Sequence, residues 1–130
     1  MEILIYKCYN IFILFKEAGI LKQYNAKDIR SIALTGHGSS GKTTLAEAML
    51  YIAKATDRLG KVTDGNTVTD SDAEEKKRKV SVSTAVAPFE YEGKKVNIVD
   101  APGLFDFECG MYEAIRSSKT TLIVLSVTQV

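Results

Sequence analysis

Apolar and polar positions fall into short blocks along the chain, and the spacing within each block predicts an element. Ser31-Ile32-Ala33-Leu34-Thr35 is an apolar run closed by Gly36, the pattern of a strand buried on both faces. Residues 36–41 carry three glycines and predict a loop. From Lys42 onward, Leu45, Met49, Ile52 and Ala53 recur at i, i+4, i+7 and i+8, which predicts a helix with one apolar stripe. Gly60 stands where a glycine would close that helix. Residues 61–79 are polar, with acids at Asp70, Asp72, Glu74 and Glu75 ahead of the basic run Lys76-Lys77-Arg78-Lys79. They read as a solvated loop or a surface helix. Residues 80–91 and 94–99 predict two strands joined as a hairpin at Glu92-Gly93. Asp100-Ala101-Pro102-Gly103 ends the second strand in a turn, residues 108–118 predict a short helix, and 121–127 a buried parallel strand. Strand, loop, helix, hairpin, turn, helix, strand is an α/β order.

The N-terminus fits none of this. Residues 3–15 (ILIYKCYNIFILF) are strongly apolar but broken by Lys7 and Asn10. The run is shorter than the ~20 residues a membrane-spanning helix needs. Met1-Glu2 supplies no basic leader region and no small-residue cleavage site follows. Residues 11–15 have the uncharged, β-prone character of an aggregation segment. Residues 1–24 are therefore read as an N-terminal extension, either an accessory segment or one foreign to the native fold.

Composition narrows the class. At 130 residues, 45% hydrophobic and 25% charged, the chain is one globular domain rather than a disordered one. A net charge of +1 gives no global basic field, so neither DNA nor a membrane is expected as a partner, and a monomer is expected. Cys8 and Cys109 stand in no metal or redox spacing and read as idle thiols of a cytoplasmic protein. His37 is the single histidine, which excludes a histidine-rich metal site and any Ser-His-Asp triad lacking it.

The chemistry begins at Gly36-His37-Gly38-Ser39-Ser40-Gly41-Lys42-Thr43, a full match to G-x-x-x-x-G-K-[ST] between a predicted strand and a predicted helix. Glycines let backbone N–H groups curl around phosphates, and the following helix N-terminus adds a favourable dipole. Lys42 would reach the β- and γ-phosphates, and the Thr43 hydroxyl would be a Mg²⁺ ligand. A second motif, Asp100-Ala101-Pro102-Gly103, follows an apolar strand about sixty residues after that lysine. Asp100 suits a carboxylate on the Mg²⁺ side, and the Gly103 N–H suits a γ-phosphate contact. Alone, this motif is equally well a simple turn.

The stretch Gly36 to Thr44 (GHGSSGKTT), the polar stretch after Gly60 and Asp100-Ala101-Pro102-Gly103 together resemble the translational GTPases, most of all the elongation factor G family and its paralogues. The resemblance spans residues 25–130. It implies the nucleotide-binding part of a P-loop NTPase: a three-layer α/β/α fold on a mostly parallel sheet, stopping short of the base-specificity strands. It also implies GTP or GDP with Mg²⁺ as cofactors, the ribosome as partner and the cytoplasm as location. In that family the polar stretch is a switch ending in R-G-I-T, whose threonine binds Mg²⁺. The matching residues here are Arg78-Lys79-Val80-Ser81, so Ser81 keeps a hydroxyl for the metal while Lys79 replaces a glycine. The family also places a water-orienting histidine directly after the P-G of the second motif. Leu104 stands there, and leucine cannot hydrogen-bond water, so slow intrinsic hydrolysis is expected. The guanine-reading N-K-x-D motif would lie beyond Val130, which suggests a partial domain. A GTP-binding switch with little hydrolysis and an unrelated P-loop ATPase remain the alternatives.

Overall fold

The computed structural model describes residues 22–126. Four strands form a single sheet: β1 (Ile29–Thr35), β2 (Ala85–Tyr91), β3 (Lys94–Asp100) and β4 (Thr120–Ile123), in the order β2-β3-β1-β4. β1 pairs in parallel with both β3 and β4, whereas β2 and β3 form the antiparallel hairpin. Three α-helices accompany it: α1 (Lys42–Ile52), α2 (Ala73–Arg78) and α3 (Glu108–Ser117).

Alternation in β1 and β3 explains the layering. Leu34 and Ile98 point to one face and pack with Ala46 of α1, with Ile32, Leu45, Met49 and Phe89 around them. Ala33 and Val99 point to the other face and pack with Ala101 and Ala114, against Met111 of α3. Continuous apolar runs are therefore required where helices cover both faces. Each fully buried Leu or Ile here stabilises by about 1.5–3 kcal/mol. The fold is the expected three-layer P-loop arrangement. Pro88 is tolerated because β2 is an edge strand. At the start of the described chain, the Lys22 and Tyr24 side chains both hydrogen-bond Glu90 of β2.

Several expectations need correction. α1 buries Lys42, Thr43, Ala46, Glu47 and Leu50, whereas Ile52 is 71% exposed. The helix is cut at Ile52, so its last turn does not continue over the sheet. Gly60 does not close it, since Ala53 takes the C-cap and Gly60 lies eight residues past the helix end. Residues 80–84 are not part of β2, because the Val82 and Ser83 N–H groups donate to Glu75 Oε1 instead of a strand ladder. The polar stretch holds both a 3₁₀ turn (Val62–Asp64) and α2, whose start is fixed by a capping box between Asp72 and Glu75. β4 is parallel as expected, yet all four of its residues are exposed. Among the described residues nothing pairs on its outer side, and Ile123 is 66% exposed. The apolar run at 11–15 lies outside the described residues.

Candidate functional site

β1 ends at Thr35, the chain turns through residues 36–41, and Gly41 caps α1 in the left-handed conformation at φ 98°. Gly36 is required twice over. Its φ is 145°, and a Cβ there would come within 2.2 Å of the Val124 carbonyl oxygen. The Val124 N–H donates to Thr35 O at 2.8 Å, so the end of β4 braces the start of the loop.

The loop and the turn after β3 meet through Gly103. A Cβ at Gly103 would lie 2.3 Å from Lys42 Nζ, 2.7 Å from Gly38 N and 2.8 Å from Gly36 O. Lys42 Nζ itself donates to Gly36 O at 2.9 Å and His37 O at 2.8 Å, which holds the ammonium inside the loop. Burial lowers the Lys42 pKa, and Asp100 partly offsets this.

Behind the loop lies a polar chain. The Thr43 hydroxyl donates to Asp100 Oδ2 at 2.8 Å and sits 3.2 Å from Ser81 Oγ. Ser81 Oγ donates to Asp70 Oδ1 at 2.7 Å. Asp100 is 1% exposed, and its Oδ1 has no hydrogen-bond partner. Burial pushes its carboxyl up to about 6, with Asp70 adding to the rise and Thr43 and Lys42 opposing it. Two hydroxyls and two carboxylates at the N-terminus of a helix are hard oxygen donors of the kind Mg²⁺ prefers, and the orphaned Asp100 oxygen fits that role. Among the described residues no group of three or more His, Cys, Asp or Glu could hold a metal. A bound ion would therefore depend on these hydroxyls and on phosphate oxygens.

A cleft of ≈ 210 Å³ opens over this arrangement, walled by Gly38, Ser39, Gly41, Lys42, Thr43 and Thr44 on one side and by Ser81, Gly103 and Leu104 on the other. Leu104 leans on the loop: a Cβ at Gly38 would meet its Cδ2 at 3.1 Å. Of the other expected residues, His37 is exposed, with Nδ1 2.9 Å from Gly38 O. Ser40 Oγ is buried without a partner. Ala101 and Pro102 are buried and do not line the cleft.

Sequence reasoning missed Asp70, which is 4% exposed and lines the cleft. Its place in a charged stretch made it read as solvated, and no local signal separates it from its neighbours. Lys79 also lines the cleft and is held at φ 55°, a left-handed conformation that glycine adopts without strain.

Residues 27–129 match the family model described as the elongation factor Tu GTP binding domain. The chain is 36% identical over 117 residues to ribosome-releasing factor 2, mitochondrial, of Drosophila grimshawi, covering 90% of this chain and 16% of that protein. It is 42% identical over 101 residues to the elongation factor G-like protein of Mycobacterium tuberculosis, covering 78% and 14%. A crystal structure of a Thermus thermophilus protein matches with a TM-score of 0.75 at 42% identity, covering 78% of this chain and 15% of that one. The chain thus spans 14–16% of the length of these relatives. With the phosphate loop, the second motif and the three-layer fold in register, the chain belongs to the translational GTPases of the elongation factor Tu GTP-binding-domain family, on its elongation factor G-like side.

Proposed function

We propose that residues 25–130 form the nucleotide-binding part of an elongation factor G-like GTPase that binds GTP with Mg²⁺ and hydrolyses it on the ribosome, with residues 1–24 preceding it as an extension. The observation that carries this reading is the hydroxyl–carboxylate chain Thr43–Asp100 and Thr43–Ser81–Asp70 set directly behind a complete phosphate loop. Loop N–H groups from Gly36 to Thr44 and the Lys42 ammonium would hold the phosphates, and the Gly103 N–H lies beside them to sense a γ-phosphate. Thr43, Ser81 and Asp100, with Asp70 near, would hold Mg²⁺. Bound there, the ion neutralises charge developing on the phosphates. Order in the segment from Asp70 to Ser81 would then depend on the bound nucleotide, the usual basis of a GTPase switch.

The relatives named ribosome-releasing factor and elongation factor G-like support the ribosome as partner. The cytoplasm is the proposed compartment, with the mitochondrion favoured instead by the first of those names. Leu104 in the cleft wall favours a second reading, a GTP-binding switch with little hydrolysis of its own.

Lys42→Ala tests the site. Charge-assisted bonds to phosphate are each worth on the order of 1.5–3 kcal/mol, so fluorescent GTP affinity should fall at least ~10-fold. Unchanged affinity would remove the phosphate-loop assignment. Single-turnover hydrolysis with and without ribosomes separates the enzyme from the switch.

A further inference from the structure

Glu47 is the buried carboxylate that the nucleotide chemistry does not use. It sits on α1 one helical turn after Thr43 and is 1% exposed. Its Oε1 accepts the Val68 N–H at 2.6 Å, while Oε2 has no hydrogen-bond partner. Oε2 instead faces Gly60 so closely that a Cβ there would lie 2.2 Å away, and the same Cβ would come within 3.0 Å of the Thr67 Cα. The carboxylate is thus wedged between the two ends of the 60–68 loop.

That loop leads straight into the site. Two residues beyond Val68 stands Asp70, which accepts from Ser81 Oγ at 2.7 Å, and Ser81 Oγ is 3.2 Å from Thr43 Oγ1. The path therefore leaves α1 at Glu47 and returns to α1 at Thr43. Both anchor points lie on one rigid helix, which sets where the intervening residues can sit. Placing an unpaired carboxylate oxygen in the interior costs free energy, and an apolar side chain would fill the space without that cost. Packing alone does not account for it.

We propose that Glu47 is a positioning residue for the metal side of the site: by pinning Val68 to α1 it presets Asp70 next to Thr43 and Ser81. The inference rests on the magnesium–nucleotide reading above. It predicts a specific division of labour, in which Glu47 governs the Mg²⁺ requirement and leaves phosphate-loop binding alone.

The test is titration of a fluorescent guanine nucleotide over a range of Mg²⁺ concentrations, from excess chelator upward. In Glu47→Ala the half-saturating Mg²⁺ concentration should rise about 10-fold, the worth of one charge-assisted hydrogen bond. Affinity in chelator should stay within about 2-fold. Glu47→Gln keeps an acceptor for Val68 and should recover most of the Mg²⁺ response. Hydrogen exchange read by mass spectrometry should show faster exchange at Val68 in Glu47→Ala while the α1 amides stay protected. An unchanged Mg²⁺ midpoint, or equal loss of affinity with and without Mg²⁺, would overturn the proposal. Should Glu47→Ala fail to fold, Gly60→Ala displaces Oε2 from the other side and should shift the Mg²⁺ midpoint likewise, with no shift counting against us. Absence of nucleotide binding by the unaltered protein would sink the parent reading instead, and Val68 exchange would still report on the anchor.

Discussion

At Gly103 an added methyl group would meet Lys42 Nζ at 2.3 Å and two loop backbone atoms, Gly38 N and Gly36 O, at 2.7 and 2.8 Å. The lysine could swing away, but the backbone could not without parting the loop from the turn. Gly103→Ala should therefore destabilise by about 1–3 kcal/mol, the usual cost of overpacking, and weaken GTP binding at least as much as loss of Lys42 does. Urea unfolding and nucleotide titration check both effects. Next to it, Leu104 packs over Gly38, at the place where the resemblance to elongation factor G implies a water-orienting histidine. Leu104→His should raise single-turnover GTP hydrolysis by about 10-fold or more, with little change in affinity because Lys42, Thr43 and Asp100 are untouched. Equal rates for both proteins, with ribosomes absent and present, would instead make Leu104 an apolar gate.

Among the elements, α2 shows both support and strain. Asp72 and Glu75 cap its first turn reciprocally, and Arg78 pairs with Glu74 one turn back at 2.6 Å. Its C-cap, Lys79, is held at φ 55°, ψ 36°, a left-handed conformation that costs a residue with a Cβ roughly 1–2 kcal/mol. Lys79→Gly should accordingly stabilise the protein by about 0.5–1 kcal/mol once the greater freedom of glycine in the unfolded chain is counted. Lys79→Asn should recover part of that gain, since asparagine tolerates this region. Denaturant midpoints would show it, and a midpoint lowered by glycine would contradict the strain. β1 was legible from its local apolar run and the hairpin from its Glu92-Gly93 turn. The exposure of Ile52 and of β4 was not, since it depends on what other elements cover.

For the molecule as a whole, Asp100 links folding to pH. Its carboxyl is raised by burial from 3.8 to about 6, so the folded state holds the proton more tightly than the unfolded chain. Stability from this group is thus greatest below about pH 4 and declines as pH rises through 6. Asp100→Asn removes the ionisation while keeping an acceptor for Thr43. Relative to the unaltered protein, the variant should gain on the order of 2–3 kcal/mol between pH 4 and pH 7.5 without nucleotide, in proportion to the shift. Chemical denaturation at a series of pH values measures the difference, and a pH-independent gap would contradict it. On the proposed site Mg²⁺ and the proton would compete for this carboxylate, so Mg²⁺-dependent nucleotide binding should weaken as pH falls below 6.

The sequence by itself determined the phosphate loop and the second motif, each written within a dozen neighbouring residues, and the α/β order, which follows from one local block after another. Those spacings act locally: glycines permit the loop, and an apolar run needs two covered faces. Tertiary structure alone decided which residues of the charged stretches are buried beside the loop and its helix. Asp70 and Glu47 carry the composition of solvated positions, yet they are 4% and 1% exposed. Their partners lie 11 and 21 residues away, and Thr43 reaches Asp100 across 57. Only the parallel pairing of β1 with β3 brings the end of one strand beside the helix that follows the other, and a polarity pattern read along the chain holds no record of that approach.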